Sequence, residues 1–397
     1  MTVKIVHSGG NGVSIAPPDT NPASDKTVKL PATNGTLLTT GSSPSFRNLV
    51  INGSMQVAQR GTSSTSTGYQ TVDRFKTGHT GLGVNVTQSQ QSLSSSDSGP
   101  WEKGFRKYHR LALAGAGTDS AGNYLQIETC IEAQDIANSG WEYTSSSSYM
   151  TLSFWARAST AQNYGFAFHT QDGTGQLFPH TFALAANTWT KVSYSVPGNS
   201  NVAFDDNNDA GLYLKIFPYL GSTYNGGTNN TWGAVSGNGY GASLPTTWLT
   251  AGASTFDVTG VQLEVGDAVT EFEHRSYGDE LRRCQRYYFR IHPTVVSDVL
   301  TGTAWTPTQA TAQGITFFPV VMRTRVTALE QSGTATDYQV SVGSSGATCS
   351  SVPTFSHGGV NCAATTFTCS GTPWNISNTT RPSNKTTDGF LAWSAEL

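Results

Sequence analysis

The sequence predicts an all-β fold built around an antiparallel β-sandwich of jelly-roll type, and three observations support this. Charged residues make up 12% of the chain, about half the usual share of roughly 25%, while Ser, Thr, Asn and 42 glycines fill long turn-like stretches. Aromatic residues are nonetheless plentiful, at 18 Phe, 15 Tyr and 9 Trp; that argues for many short strands and against disorder. Runs of alternating apolar residues recur between turn signals through the middle of the chain, the spacing of a sandwich or jelly roll.

The 397 residues allow two to four domains at roughly 100–200 residues each. Residues 1–45 read as a separate leading segment. Val13/Ile15 and Val28/Leu30 are short alternating runs, Leu37 follows a turn, and Pro17, Pro18, Pro22 and Pro31 punctuate them. Strands this small bury no core alone, so the segment is expected to dock on a partner or pair with copies of itself. Residues 46–107 read as a β-rich connecting region.

Residues 108–275 carry the sandwich. Leu125 and Ile127 share one face, as do Leu152 and Phe154; Tyr164/Phe166/Phe168, Phe182/Leu184 and Val192/Tyr194/Val196 follow. The stretch "GLYLKIFPYL" is apolar on both faces, which marks a central strand. Phe256/Val258 and Val261/Leu263/Val265 close the series.

Residues 276–290 predict one short connecting helix. Ser276 sits at the N-cap with Asp279 three residues later. Tyr277, Leu281, Cys284 and Tyr288 form a narrow seam at helical spacing, suited either to packing on the sandwich or to meeting copies of itself in a trimer. Arg282, Arg286 and Arg290 lie on another face. Residues 291–397 return to β structure, with "GITFFPVVMRTRVTALE" and "DGFLAWSAEL" as strands.

Charge and hydropathy narrow the function. A net charge of −3 without a basic stripe gives no case for a nucleic-acid partner. No run of 18 apolar residues exists, so no membrane insertion through a helix is expected. The start, "MTVKIVHSGGNGVSIAPP", has no apolar core and no cleavage site, so it does not read as a signal peptide. Among five cysteines, Cys349, Cys362 and Cys369 cluster; one disulfide among them is open, and reduced thiols acting as small hydrophobes are the simpler reading.

Three candidate sites stand out. Tyr219, Tyr224, Trp232 and Tyr240 are interleaved with Gly, Ser and Asn in a long loop. Rigid aromatic faces beside adaptable hydrogen bonders suit glycan contact; Trp248, at the end of that stretch, reads as structural. Asp205, Asp206 and Asp209 offer oxygen ligands for Ca²⁺, although a solvated acidic turn is the simpler reading and no cofactor is otherwise implied. Paired carboxylates, Glu128/Glu132 and Glu271/Glu273, were weighed as hydrolytic groups. Ion pairing with Arg275, Arg282 and Arg283 explains the second pair more simply. No nucleophile, metal or phosphate motif is present, so no enzymatic activity is expected.

Three stretches resemble tail-fibre proteins of tailed bacteriophages, of the type common in marine and cyanobacterial phages. "NLVINGSMQVAQRG…TVDRF" is similar to the start of that family. "FDVTGVQLEVGDAVTEFEHRSYGDELRRCQRYY" resembles its most recognisable signature. "FFPVVMRTRVT" and the terminal "AEL" resemble its C-terminal β domain, and "TVKLPATNGTLLTT" its attachment-end linkers. The resemblance implies a virion tail fibre, a homotrimer held to other tail proteins through its N-terminal segment. It further implies a carbohydrate-binding-like jelly roll but does not fix the receptor; the aromatic loop points to a host surface glycan, and an external composition without an export signal fits release by lysis. Two alternatives remain: a polysaccharide-depolymerising tailspike, and a capsid decoration or tail protein without a receptor role.

Overall fold

The computed structural model describes residues 3–6, 12–15, 47–302, 304–370 and 375–397. The chain forms two compact units, Met1–Gly41 and Ser42–Leu397. In the first, β1 (Val3–Val6) and β2 (Gly12–Ile15) make an antiparallel hairpin with Ile5 opposite Val13. The runs at Val28/Leu30 and Leu37 lie outside the described residues.

The second unit holds all the remaining strands. Its first half contains β3 (Ser63–Ser64), β4 (Lys76–Thr80), β5 (Val86–Ser92), β6 (Lys107–Leu113) and β7 (Tyr124–Glu132), then the one-turn α1 (Ala133–Ala137). There follow β8 (Tyr149–Ala158), β9 (Gln162–Thr170), β10 (Gln176–Leu184), β11 (Thr190–Pro197), β12 (Ala210–Leu220) and β13 (Gly233–Ala234). The one-turn α2 (Thr247–Thr250) and β14 (Thr255–Val265) complete it. Two six-stranded antiparallel sheets result, in the orders β13-β10-β9-β12-β7-β4 and β11-β8-β14-β6-β5-β3. Packed face to face, they form the jelly-roll sandwich that the alternation predicts.

Alternation decides what is buried. Leu125 and Ile127, Phe166 and Phe168, and Leu212, Leu214 and Ile216 face inward from the first sheet. Leu111, Leu113, Leu152, Phe154, Phe256 and Val258 meet them from the second. Each such side chain contributes roughly 1.5–3 kcal/mol of transfer free energy on full burial. Val261 and Leu263 also point inward, although they fall on the opposite parity from Phe256 and Val258. A register shift between Thr259 and Gln262 explains this. Gly260 sits in it at φ 66°, where a Cβ would meet the Phe105 ring at 2.7 Å; only glycine takes that conformation and contact readily.

Residues 46–107 are not a separate connecting region. β4 pairs with β7 across Thr77–Ile127, and β5 pairs with β6 along its whole length. The sandwich therefore begins well before residue 108. These strands escape sequence reading because "KTGHT" and "VTQSQQS" carry little apolar alternation and bury polar residues such as Thr77 and Gln88 instead.

His109, on β6, is fully buried with neither ring nitrogen hydrogen-bonded, and burial pushes it down to about 4. Between pH 6.5 and 4 the unfolded chain thus binds a proton that the folded chain refuses, so stability is lost as pH falls through this window. Relative to His109→Leu, the wild-type chain is expected to lose about 3 kcal/mol more on going from pH 7 to pH 4. Urea unfolding at both pH values checks this; equal losses would contradict it.

The connecting helix is shorter than the predicted 276–290. It runs as α3 (Tyr277–Gln285), with Ser276 Oγ accepting from Asp279 N at 3.2 Å and donating to Asp279 Oδ2 at 2.6 Å. Beyond it, β15 (Tyr288–Ile291) joins β24 (Leu391–Ser394) and β18 (Glu330–Gln331) in a three-stranded sheet. The chain leaves the helix because Phe289 stacks on Trp393 at 6.1 Å, a cross-strand contact. The predicted seam is also shifted. Tyr277 is 55% exposed and Leu281 half-buried, whereas Glu280, Cys284, Tyr287 and Tyr288 are buried. This face is covered within one chain, so it needs no second copy.

What covers it is the loop at residues 47–75. Asn52 N donates to Glu280 Oε1 at 2.5 Å, Asn48 N to Glu273 Oε2 at 2.8 Å, and Asn48 Nδ2 to Val261 O at 3.0 Å. The fully buried Arg74 ion-pairs with Glu396, donates to Cys130 O at 2.7 Å, and lies 3.5 Å over the Tyr287 ring. Arg60 reaches Glu396 at 3.2 Å and stacks 3.4 Å over Tyr288. Arg286 forks onto Glu132 at 2.7 and 2.8 Å. The early Asn-rich stretch, the 256–288 signature and the terminal "AEL" thus converge on one knot.

The last part of the chain adds β16 (Ala304–Thr308), β17 (Thr311–Phe317), β19 (Tyr338–Val342), β20 (Ser345–Thr348), β21 (Thr354–Gly358), β22 (Cys362–Thr368) and β23 (Thr379–Asn384). They form a seven-stranded sheet over a core that includes Leu300, Met322, Val340, Phe367 and Trp393. No helix among the described residues is long and apolar enough to cross a membrane.

Candidate functional site

The long β12–β14 connection folds back over the outer face of the first sheet and distributes the four predicted glycan-contact residues unequally. Tyr219 is fully buried, its hydroxyl donating to Asp119 Oδ1 at 2.7 Å. A register shift between Ile216 and Tyr219 turns it inward, so it offers no face to a ligand. Trp232 packs against the sandwich core: its indole N–H donates to Pro197 O at 2.7 Å and its ring lies 5.2 Å from Phe178. Tyr224 meets Tyr124 edge-on at 5.6 Å. Trp248 is fully buried in α2, as a structural tryptophan should be.

Tyr240 behaves differently. It stands half-buried on the sheet, edge-on to His169 at 5.7 Å and to Phe217 at 6.3 Å. Tyr213 lies on the other side of His169, with ring centroids 5.8 Å apart. Lys215 points away from the core but is only 9% exposed, its Nζ 4.9 Å from the Tyr213 ring and 5.9 Å from the Tyr240 ring. Lys215 ion-pairs with Glu128, which also meets Lys76 at 3.5 Å and accepts from Gln126 Nε2 at 3.0 Å. Gln171 Nε2 reaches His169 Nε2 at 2.9 Å.

The backbone builds this strip simply. On β12, Leu212, Leu214 and Ile216 point into the core, so Tyr213 and Lys215 must point out. β7 and β9 flank β12 in register, with Glu128 opposite Lys215 and His169 opposite Tyr213. Three adjacent strands thereby bring these groups side by side, with the Tyr213, His169 and Tyr240 rings half-buried and the Lys215–Glu128 pair buried among them. Burial first, and then the nearby Lys215 charge, push His169 down to about 4. Its ring is neutral near pH 7 and offers one donor and one acceptor.

Sequence reading missed Tyr213, His169, Lys215 and Glu128 as a group. In "GLYLKIFPYL" the alternate positions Tyr213, Lys215 and Phe217 read as one more covered face, and Lys215 and Phe217 are indeed buried, so only the half-buried Tyr213 breaks that pattern.

The remaining candidates sort differently. Asp206 accepts from Asn138 at 2.7 Å, Asp205 N donates to Asp172 at 3.0 Å, and Asp209 lies 3.6 Å from Arg323. Asn208 O accepts from Arg323 Nη1 at 2.9 Å, and that guanidinium also donates to Glu396 O at 2.9 Å. The acidic loop is a docking point for Arg323. Among the described residues no three His, Cys, Asp or Glu side chains gather to hold a metal, and Asp205, Asp206 and Asp209 stand in the acidic turn that was the simpler reading.

Glu132 is held by Arg286 and the Tyr287 hydroxyl. Burial pushes its carboxyl up, but these partners hold it below the usual range. Glu273 pairs with Arg275 at 3.2 Å, one of the expected partners, whereas Glu271 pairs with Lys103 at 3.2 Å instead. A cleft of about 750 Å³ beside α3 is lined by Arg275, Arg282, Arg283, Arg286 and Val321, among others. Arg275 and Arg286 are already engaged by carboxylates there, so the cleft belongs to the joint.

No family model matches this sequence, and no curated protein matches it. Among solved structures, the chain is similar to one described as "CBM4 structure and function", at 13% identity and TM-score 0.30, covering 54% of this chain and 98% of that one. A putative sugar-binding protein from Bacteroides thetaiotaomicron matches at 10% identity and TM-score 0.30, covering 55% of this chain and 100% of that one. The N-terminal cellulose-binding domain of a Cellulomonas fimi β-1,4-glucanase matches at 12% identity and TM-score 0.26, covering 54% and 99%.

Proposed function

We propose that this chain is a non-catalytic glycan-binding protein, and that the outer face of its first sheet is the binding surface. The observation that carries this reading is the strip formed by Tyr213, His169 and Tyr240 around the Lys215–Glu128 pair. Sugar rings place their C–H faces on aromatic rings, while fixed charged and amide groups read their hydroxyls. The buried Glu128 carboxylate is engaged by two lysines and Gln126, and Glu132 is spoken for by Arg286. Both points favour binding over hydrolysis. Calorimetric titration of the chain with neutral and acidic fragments of bacterial surface polysaccharides tests the reading. Binding of at least one fragment without release of reducing ends is expected. Failure of every fragment to bind would remove it, and liberated reducing ends would replace it with a depolymerising tailspike.

The finer reading is a tail fibre of a tailed bacteriophage, a homotrimer attached to the tail through its leading segment and to the host through glycan. The sequence stretches that meet around Arg74 support it, because they are the ones that resemble that family. Exposed apolar residues support self-association. Of ten large exposed apolar side chains among the described residues, seven lie between Val295 and Ile376, including Phe317 at 70% exposure. Such surface usually marks an interface. Three copies would raise weak affinities through effective concentration. Sedimentation equilibrium is expected to give three chains per particle; a single well-folded chain at micromolar concentration would remove the trimer and, with it, the fibre.

A further inference from the structure

We infer that Cys349 and Cys369 form a disulfide that locks the C-terminal β region once the chain meets an oxidising medium. The two residues follow β20 and β22 and face each other as an isolated antiparallel bridge. Ser350 N donates to Thr368 O at 2.8 Å, one step outside the pair on each strand. Cys349 and Cys369 therefore occupy a non-hydrogen-bonded position, where Cα atoms approach to about 4.5 Å and side chains lie closest. That spacing falls within the range a disulfide accepts, roughly 4.4–6.8 Å.

The side chains agree with the backbone. The sulfurs lie 3.5 Å apart in a shared thiol hydrogen bond, and both residues are buried. Each backbone is pinned independently, Cys349 N to Tyr338 O and Cys369 N to Ala310 O, both at 2.9 Å, so little must move to close the bond. Cys362 cannot compete for Cys369. It begins the same strand, opposite Phe317, and seven residues of extended chain separate the two by about 23 Å. Cys130 and Cys284 are buried in the sandwich and the joint.

The chemistry has a natural order. The thiol hydrogen bond shared with Cys349 holds the Cys369 thiol below its ordinary value, while the same contact, and then burial, hold Cys349 above its own. Cys369 is thus the first to ionise. With a low-molecular-weight disulfide as oxidant, the Cys369 thiolate attacks one sulfur, breaks the S–S bond and expels one small thiolate. Cys349 then loses its proton to solvent and attacks the Cys369 sulfur, expelling the second. Two protein thiols are oxidised and one small disulfide is reduced to two thiols. The new bond links residues 20 positions apart, constraining the β21–β22 hairpin in the unfolded chain.

The test uses the full chain, unfolded and refolded in oxidised and reduced glutathione so that burial cannot protect the thiols, then alkylated in denaturant. A linked peptide joining Cys349 to Cys369 and lacking two hydrogens is expected, with three of the five cysteines still alkylated. The melting temperature should rise by roughly 5 °C or more over the dithiothreitol-reduced chain. In Cys369→Ala, neither the linked peptide nor the reductant-sensitive rise should appear. Five alkylated cysteines in the wild-type chain, or a linked peptide containing Cys362, would overturn the inference.

Discussion

Arg74→Met is expected to cost about 3–5 kcal/mol of stability, the penalty for removing one partner of a buried ion pair. Arg74 is 1% exposed, and its guanidinium serves three groups: the Glu396 carboxylate, Cys130 O and the Tyr287 ring. Methionine keeps much of the volume but none of the donors. Glu396 would retain only Arg60, while Cys130 O would lose its side-chain donor. An exposed pair gives the contrast. Lys103 and Glu271 are 50% and 77% exposed along their side chains, so Lys103→Met should change stability by less than about 1 kcal/mol. Urea midpoints of the two variants measure the difference. Equal midpoints would mean that the knot of 47–75, α3 and the terminal strand does not hold the sandwich to the C-terminal β region.

Tyr213→Ala is expected to weaken glycan binding about 10–100-fold, the range for truncating an aromatic anchor at the centre of a binding surface. Its ring is half-buried on the outer face and packs against none of the sandwich core, so the melting temperature should change little. Tyr240→Ala should act in the same direction, since it walls the other side of His169. Tyr219→Phe supplies the control. That residue lies near the end of β12, just before the long aromatic loop, but is buried, and its hydroxyl serves Asp119. Titration should find its glycan affinity unchanged. Loss of affinity in Tyr219→Phe, with Tyr213→Ala intact, would move the site away from the sheet face.

The sandwich was legible because burial enforces a period of two. Leu152 and Phe154, Phe166 and Phe168, and Leu212 and Leu214 all face the core as their alternation requires. Two bulges broke the reading. At Gly260 the shift let residues of both parities face inward; before Tyr219 it turned a predicted ligand contact into a core residue. Neither leaves a mark in a one-dimensional pattern, since a bulge is set by what the neighbouring strand allows.

The helix seam shows another limit. Its apolar spacing suited either packing on the sandwich or meeting copies of the chain, but its neighbours, Asn48, Asn52 and Arg74, come from more than 200 residues earlier. Sequence proximity carries no trace of that contact. The binding strip was missed for a related reason. His169, Tyr213 and Glu128 lie on three strands and become neighbours only through sheet order.

Diffraction from crystals soaked in the best-binding oligosaccharide tests the central claim most directly. The account predicts a sugar ring on the outer sheet face, stacked on Tyr213 or Tyr240 and hydrogen-bonded to Lys215 or His169. Sugar density seated only on the β12–β14 loop, in the arginine-lined cleft beside α3, or on the C-terminal β region would contradict it.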